Sequence, residues 1–290
     1  MVTRIWAMSR LFDQMFASGI EFWRKTGYDG VEGSDVVGAA DKALQKEFFE
    51  AFQEELKGWG IIAKEDGLHI RATMTTPWGP VVVTLDPVDG TGQLKRIVED
   101  PKFLRRGVSI MIAIRLGGEV VAAYIFDLFS KELFFVRPGE QGVMRQVGDR
   151  VQPVVFPASL ETLQQGTLLI HGGSASEHRE LNDWLASLDE PAFVEHIGIK
   201  ESLGLSFLKV VQGKAVAMAR RPGGFFTPWD DSPVICLGKA AKIRTFWIRP
   251  GRIFQEFVLE PPTQAVKLPF GVLYLPDQFV ARLPANVRVL

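Results

Sequence analysis

Apolar side chains recur at helical spacing from the start of the chain. Ile5, Met8, Leu11, Phe12, Met15 and Phe16 fall on one face of an amphipathic helix that reads on to about Trp23. Gly27, Gly30 and Gly33 then suggest a loop, and Ser34 or Asp35 a cap for a second helix. In that helix Ala40, Leu44, Phe48, Phe52 and Leu56 form a stripe at four-residue spacing that closes near Gly58. The period then changes. Residues 80–85 read as a buried strand ending at Asp86, and residues 108–115, 120–126 and 132–136 as further strands, with Gly117-Gly118 as a turn between two of them. Two helices followed by a largely antiparallel run make an α+β pattern.

Beyond Pro157 the pattern alternates. Residues 167–170 are strand-like, Gly172-Gly173-Ser174 precedes a helix to about residue 188, and residues 193–196 are strand-like again. A short helix over 202–211 closes at Gly213, residues 215–219 read as a strand, and residues 231–240 as a helix. The last 40 residues read as strands and loops. These shifts divide the chain into an N-terminal α+β half, residues 1–155, and a C-terminal α/β half, residues 156–290. A length of 290 residues suits two packed subdomains.

Composition narrows the function classes. No apolar run approaches the ~20 residues of a membrane span, and Arg4, Arg10 and Asp13 interrupt any signal-peptide core. The single cysteine, Cys236, excludes an intrachain disulfide and sits in an apolar run that marks it as a core residue. These features favour a cytoplasmic protein. A net charge of −1 gives no reason to expect a nucleic-acid polymer or a membrane as partner.

The candidate chemistry centres on VVVTLDPVDGTGQL, residues 81–94. The strand ends on Asp86-Pro87-Val88-Asp89-Gly90-Thr91, with two carboxylates on one tight turn. Pro87 fixes its own φ and Gly90 permits a conformation that other residues resist. Hard divalent cations such as Mg2+ take oxygen ligands of this kind. An exposed Asp-rich turn has the same composition, and the pattern alone leaves both readings open. Further acidic groups lie elsewhere: Asp41 on the second helix, Glu65-Asp66 after the apolar stretch 60–63, and Asp230-Asp231 after Trp229. His69, His171, His178 and His196 show no metal-ligand spacing.

Taken together, Asp41, Glu65-Asp66, Asp86-Pro-Val-Asp-Gly-Thr91 and Trp229-Asp230 resemble the inositol monophosphatase superfamily. Its members are magnesium-dependent, lithium-sensitive phosphomonoesterases related to fructose-1,6-bisphosphatases and bisphosphate nucleotidases. The match is specific over residues 35–145 and around 229–236. The resemblance implies a layered α-β-α-β-α sandwich of the sugar-phosphatase type, with two or three Mg2+ ions between the halves, and it suggests a homodimer. It implies that Glu65, Asp86 and the Val88 carbonyl hold one metal, that Asp86, Asp89 and Asp230 hold a second, and that a third, weaker ion joins Glu65 and water. By the same resemblance Thr91 near Asp41 orients and deprotonates the attacking water, and the Gly90 and Thr91 N–H groups hold the phosphate. Physically, such a metal clamp supplies both an activated water and neutralisation of phosphate charge, with no histidine base or nucleophilic cysteine.

The chain departs from the family's wording at Val37-Gly38, Lys64-Glu65-Asp66, Gln93-Leu94, Glu201-Ser202 and Lys239-Ala240-Ala241-Lys242. Where inositol-specific members carry an acidic residue that binds sugar hydroxyls, this chain has Arg220-Arg221. Arginine forks suit a second phosphate or sulfate. A surface arginine pair is the plainer alternative. Gly172-Gly173-Ser174 could likewise meet an anion at a helix N-terminus, or be a plain loop. The expected function is therefore Mg2+-dependent hydrolysis of a small phosphorylated metabolite, an inositol or sugar phosphate. A 3′,5′-bisphosphate nucleotidase or fructose-1,6-bisphosphatase is the alternative within the class. A non-catalytic relative that binds a phosphorylated ligand is the alternative outside it.

Overall fold

The computed structural model describes residues 1–26, 32–65, 68–100, 102–155, 167–171, 195–199, 202–220, 222–249, 253–257, 260–280 and 288–289. Two large sheets dominate it. The first runs, in spatial order, through Arg150–Pro153, Met144–Val147, Glu132–Val136, Glu119–Asp127, Ser109–Leu116, Gly79–Asp89, Gly60–Ala63 and His69–Ile70, with Thr75–Thr76 paired to Gly79–Asp89 as well. Every pairing is antiparallel except that of Gly60–Ala63 with Gly79–Asp89, which is parallel. The second sheet runs through Glu195–Ile199, Thr167–His171, Ala217–Arg220, Gly271–Pro276, Ile243–Arg249, Ile253–Glu256 and Arg288–Val289.

The middle strand of the first sheet shows why the layers stack. In SIMIAIRL, residues 109–116, positions 110–114 are apolar on both faces, the pattern of a strand covered on both sides. Side chains alternate between the faces of a strand, and here Ile110 and Ile112 join one hydrophobic cluster while Met111 joins another. On the first face lie the helices Val2–Ser18 and Ala39–Glu55, which bury Ile5, Met8, Phe12, Ala40, Leu44 and Phe48. On the second lie the helices Leu203–Val211 and Pro228–Ala240, which supply Phe207, Leu208, Val234 and Leu237. The far side of that helical layer meets Leu169, Met218, Val272 and Tyr274 of the second sheet. The order is helices, sheet, helices, sheet, which is the layered α+β arrangement expected. The helix anticipated after Ser174 lies outside the described residues.

The first helix ends earlier than its apolar spacing suggested. It stops at Ser18, where Gly19 takes a φ of 90°, a backbone state that glycine adopts freely. Phe22–Thr26 and Glu32–Gly38 then pair as an antiparallel ribbon, so Trp23, Ser34 and Asp35 belong to strands rather than to a helix end and a cap. Val36 and Val37 favour that extended state. The second helix begins at Ala39 and is capped from inside. The Gly38 N–H donates to Asp41 Oδ2 at 2.9 Å, as an acid at the third helical position can arrange.

Phe207 ties the layers together. It is fully buried and meets the Tyr274 ring edge-on, at 5.6 Å between centroids and 75° between planes. Phe207→Ala should destabilise the protein by about 3–5 kcal/mol. Urea denaturation checks this as a lowered midpoint with an unchanged slope.

Candidate metal centre

Asp86 and Asp89 are three residues apart, so a regular strand would send them to opposite faces. The register prevents that. Asp86 lies opposite Met111 and Asp89 opposite Ser109, so two residues, Pro87 and Val88, face the single residue Ile110. This is a β-bulge, whose extra residue reverses the alternation. Pro87 has no N–H to lose from the ladder. Both carboxylates therefore reach the same side, where they join Asp230 from the first turn of helix Pro228–Ala240. One oxygen from each of the three lies within 4.8 Å of the others.

Backbone groups hold each acid. The Val88 N–H donates to Asp86 Oδ1 at 3.0 Å. The N–H groups of Leu203 and Gly204, in the first turn of helix Leu203–Val211, donate to Asp89 Oδ1 and Oδ2 at 3.3 and 2.9 Å. Their helix end favours negative charge. Ser109 Oγ reaches Asp89 Oδ2 at 3.4 Å and Ser202 Oγ at 3.0 Å. Thr227 caps the helix that carries Asp230: its hydroxyl accepts from the Asp230 N–H and donates to Asp230 Oδ2 at 2.9 Å.

Lys64 enters the same cluster. The parallel pairing sets Ala63 beside Leu85, and the Lys64 N–H donates to the Leu85 carbonyl at 3.1 Å. The next side chains along the two strands are thus neighbours. Lys64 Nζ donates to Asp86 Oδ2 at 2.8 Å and to the Val88 carbonyl at 3.4 Å, with its side chain only 11% exposed. No role was assigned to Lys64 from the sequence. The available signal was a cation directly after a short apolar strand that pairs with the acidic one.

Thr91 opens helix Thr91–Glu99 after Gly90, which takes the left-handed conformation at φ 95°. A Cβ at Gly90 would come within 2.5 Å of the Gly107 carbonyl oxygen, so only glycine fits this turn. Thr91 Oγ1 lies 2.8 Å from Asp41 Oδ1 and 2.9 Å from the Val88 carbonyl. A hydroxyl has one proton and serves one of these acceptors. Beside it, the Asp41 carboxyl has a pKa pushed up to about 7 by burial and by the charges of Glu65 and Asp86, against the lowering effect of Lys64.

The other acids follow the same rule. Burial, then Asp86, raises Asp89 to about 6. Burial, with a contribution from Asp89, raises Asp230 to about 6. Asp86 lies well above the carboxylate range, through burial and Asp230. Lys64 opposes the shift at Asp41, Asp86, Asp89 and Asp230 alike. Asp230 Oδ1 is buried with no hydrogen-bond donor among the described residues. Three convergent carboxylates, one with a bare oxygen, fit a hard divalent cation.

A comparison with known families decides the lineage. The profile of the inositol monophosphatase family matches residues 12–241. The chain belongs to the inositol monophosphatase family. Among curated relatives it is 29% identical over 118 residues to the Nus factor SuhB of Salmonella typhimurium, a match that spans 39% of each chain. Among solved structures of the family's fold it resembles an IMPase/NADP phosphatase complexed with Mg2+ and phosphate, with a TM-score of 0.70, 15% identity and coverage of 97% of this chain and 90% of that one. It also resembles Staphylococcal inositol monophosphatase-1 in a lithium chloride complex, with a TM-score of 0.69, 16% identity and coverage of 96% and 89%. No helix among the described residues is long and apolar enough to cross a membrane.

The structure brings Asp86, Val88, Asp89, Gly90, Thr91, Asp41 and Asp230 to one place. Glu65 is buried and near Asp41, but it does not belong to the group of converging carboxylate oxygens. Its backbone is clamped by Gln45, which accepts from the Glu65 N–H and donates to its carbonyl, both at 3.0 Å. Arg220 is turned inward. It is 7% exposed, and its guanidinium is engaged by Asp231, the Phe225 carbonyl and the Tyr274 hydroxyl. Its partner is the second acid of Trp229-Asp230-Asp231 rather than an outside anion, because a buried guanidinium needs a counter-charge. Arg221 and Gly172-Gly173-Ser174 lie outside the described residues.

A pH dependence follows for the metal-free protein. Above pH about 4 the unfolded chain releases the protons of Asp41, Asp89 and Asp230, while the folded chain keeps them up to pH 6 to 7. Stability therefore falls as pH rises through that window, and Asp86, whose pKa is also raised, adds to the fall in the same direction. Thermal unfolding in a chelator at pH 4.5 to 7.5 should show the melting temperature dropping. Added Mg2+ should shrink the drop, because it binds the ionised acids.

Proposed function

We propose that the chain is a divalent-cation-dependent phosphatase of a small phosphorylated metabolite, with water as the direct nucleophile. The observation that carries this reading is the convergence of Asp86, Asp89 and Asp230 within 4.8 Å beside the Thr91–Asp41 pair at 2.8 Å. A divalent cation bound to the three carboxylates would neutralise phosphate charge and acidify a water molecule. The chain's own groups do the rest. Asp41 and Thr91 form a proton-holding pair: with a pKa of about 7, Asp41 can accept a proton through the Thr91 hydroxyl near neutral pH. The Gln93 and Leu94 N–H groups donate to the Gly90 carbonyl at the start of helix Thr91–Glu99, and the N–H groups of Thr91 and Gly92 ahead of them suit a phosphate oxygen. Gly90 lets the backbone turn into that position. The helix end at Leu203 and Gly204 keeps Asp89 aimed into the cluster.

An inositol or sugar monophosphate is the favoured substrate class. The inward pairing of Arg220 with Asp231 removes that arginine as a partner for a second anionic group on the ligand. The similarity to structures named as holding phosphate and D-inositol-1-phosphate supports the same class.

A second reading rests on Lys64. An ammonium already on Asp86 and on the Val88 carbonyl could leave a centre that binds a phosphorylated ligand without turning it over. The partial match to a protein named as a Nus factor is compatible with it.

Phosphate release from a panel of phosphomonoesters, with Mg2+ and with chelator, separates the two. We expect Mg2+-dependent turnover that Asp89→Asn lowers by about 100-fold or more, since the cation is worth several kcal/mol to such a reaction. Turnover that survives Asp89→Asn would remove the carboxylate cluster from the mechanism. Ligand binding with no turnover on any substrate would establish the second reading.

A further inference from the structure

The resemblance read from the sequence assigns one metal to Glu65, Asp86 and the Val88 carbonyl, and another to Asp86, Asp89 and Asp230. The second set fits a divalent cation. The first does not. Its Asp86 oxygen, Oδ2, and its Val88 carbonyl are both engaged by Lys64 Nζ, at 2.8 and 3.4 Å. Glu65 stands outside the converging group. A divalent ion on those two oxygens would sit within a few ångströms of an ammonium, and its double charge makes that repulsion twice that of two single charges.

We infer that Lys64 is a built-in cation that takes the place of one metal ion, so that this chain binds a single exchangeable divalent cation, between Asp86, Asp89 and Asp230. Three observations support it beyond the two contacts. The parallel register fixes Lys64 beside Asp86, with its N–H on the Leu85 carbonyl at 3.1 Å. Its side chain is 11% exposed and Asp86 is fully buried, so water does little to screen the pair. The charges also balance for one ion. Three converging carboxylates and one ammonium leave two negative charges, which one divalent cation neutralises. That count covers the converging group alone; Asp41, turned to Thr91 and to the Gly38 N–H, and Glu65 lie outside it.

An ammonium differs from a metal in what it does there. It donates hydrogen bonds and has no open coordination position, so it can hold Asp86 and attract a phosphate oxygen but cannot acidify a water. It also cannot be removed by a chelator. The chain would then keep one of the site's three positive charges under metal-free conditions.

The inference rests on the reading of Asp86, Asp89 and Asp230 as a divalent-cation site, and a direct count of bound Mn2+ tests both. Free and bound Mn2+ are measured by electron paramagnetic resonance during titration of the full-length protein. The wild type should bind one ion per chain. Lys64→Glu, which exchanges the ammonium for a carboxylate, should bind two. Lys64→Met, which keeps the buried stem without the charge, should bind its first ion at least about tenfold more tightly, because a neighbouring positive charge is gone. Two ions on the wild type, or an unchanged affinity in Lys64→Met, would overturn the inference while leaving the phosphatase reading intact. No Mn2+ on the wild type would overturn both. If Lys64→Glu fails to fold, which circular dichroism shows, the wild-type count and the Lys64→Met affinity still decide.

Discussion

Three aspartates that converge within 4.8 Å, two of them buried, are the constraint around which this protein is built. Ionised carboxylates at that separation and depth cost several kcal/mol each unless something compensates. The chain answers with every device available to a backbone. The Val88 N–H faces Asp86, a helix N-terminus faces Asp89, a threonine cap holds Asp230, and Lys64 lies against Asp86. These together still leave the acids with raised pKa values. The remaining deficit is the site's affinity for a cation, since whatever neutralises the cluster gains what the protein alone does not supply.

That constraint also explains the layering. The bulge at Pro87-Val88 brings two strand residues to one face. The acids must then be met by helices whose N-termini point at them, and the helices Leu203–Val211 and Pro228–Ala240 do so from the layer between the sheets. Those helices can sit there only because residues 110–114 of the strand Ser109–Leu116 are apolar on both faces. Packing and chemistry are therefore one arrangement: Phe207 and Leu208 anchor the helix whose first turn holds Asp89.

Much of this was legible in the sequence, for identifiable reasons. The stripe Ala40, Leu44 and Phe48 and the doubly apolar run 110–114 carry strong periodicity, and the structure buries them accordingly. The end of the first helix was not legible, because apolar Phe22 and Trp23 continue a helical pattern while Gly19 breaks the backbone. The family lineage was carried by the spacing of Asp41, Asp86, Asp89 and Asp230. What the spacing could not carry was the direction of long side chains. Arg220 stands on a strand whose sequence says nothing about which way its guanidinium turns, and only the position of Asp231 one helical residue beyond Asp230 sends it inward. Lys64 is the same problem with the opposite result. A lysine among acids reads as a surface charge until the parallel register of Gly60–Ala63 with Gly79–Asp89 puts it beside Asp86.

The two cations therefore define the site's character between them. Arg220 neutralises Asp231, which leaves Asp230 as the only acid of that pair able to serve a ligand. Lys64 neutralises part of Asp86, which leaves the cluster with less charge than a set of carboxylates alone would have. A phosphate monoester brings negative charge of its own. In a site that depends wholly on exchangeable ions, every positive charge that receives it must first be bound from solution. If Lys64 stands in for one metal ion, one charge is covalently fixed and always present, and a phosphate would meet a site that is partly prepared. The cost lies in the same feature, because a fixed ammonium cannot take over a metal's work on water. Under that arrangement any turnover would depend on a single cation at Asp86, Asp89 and Asp230 acting with the Thr91–Asp41 pair.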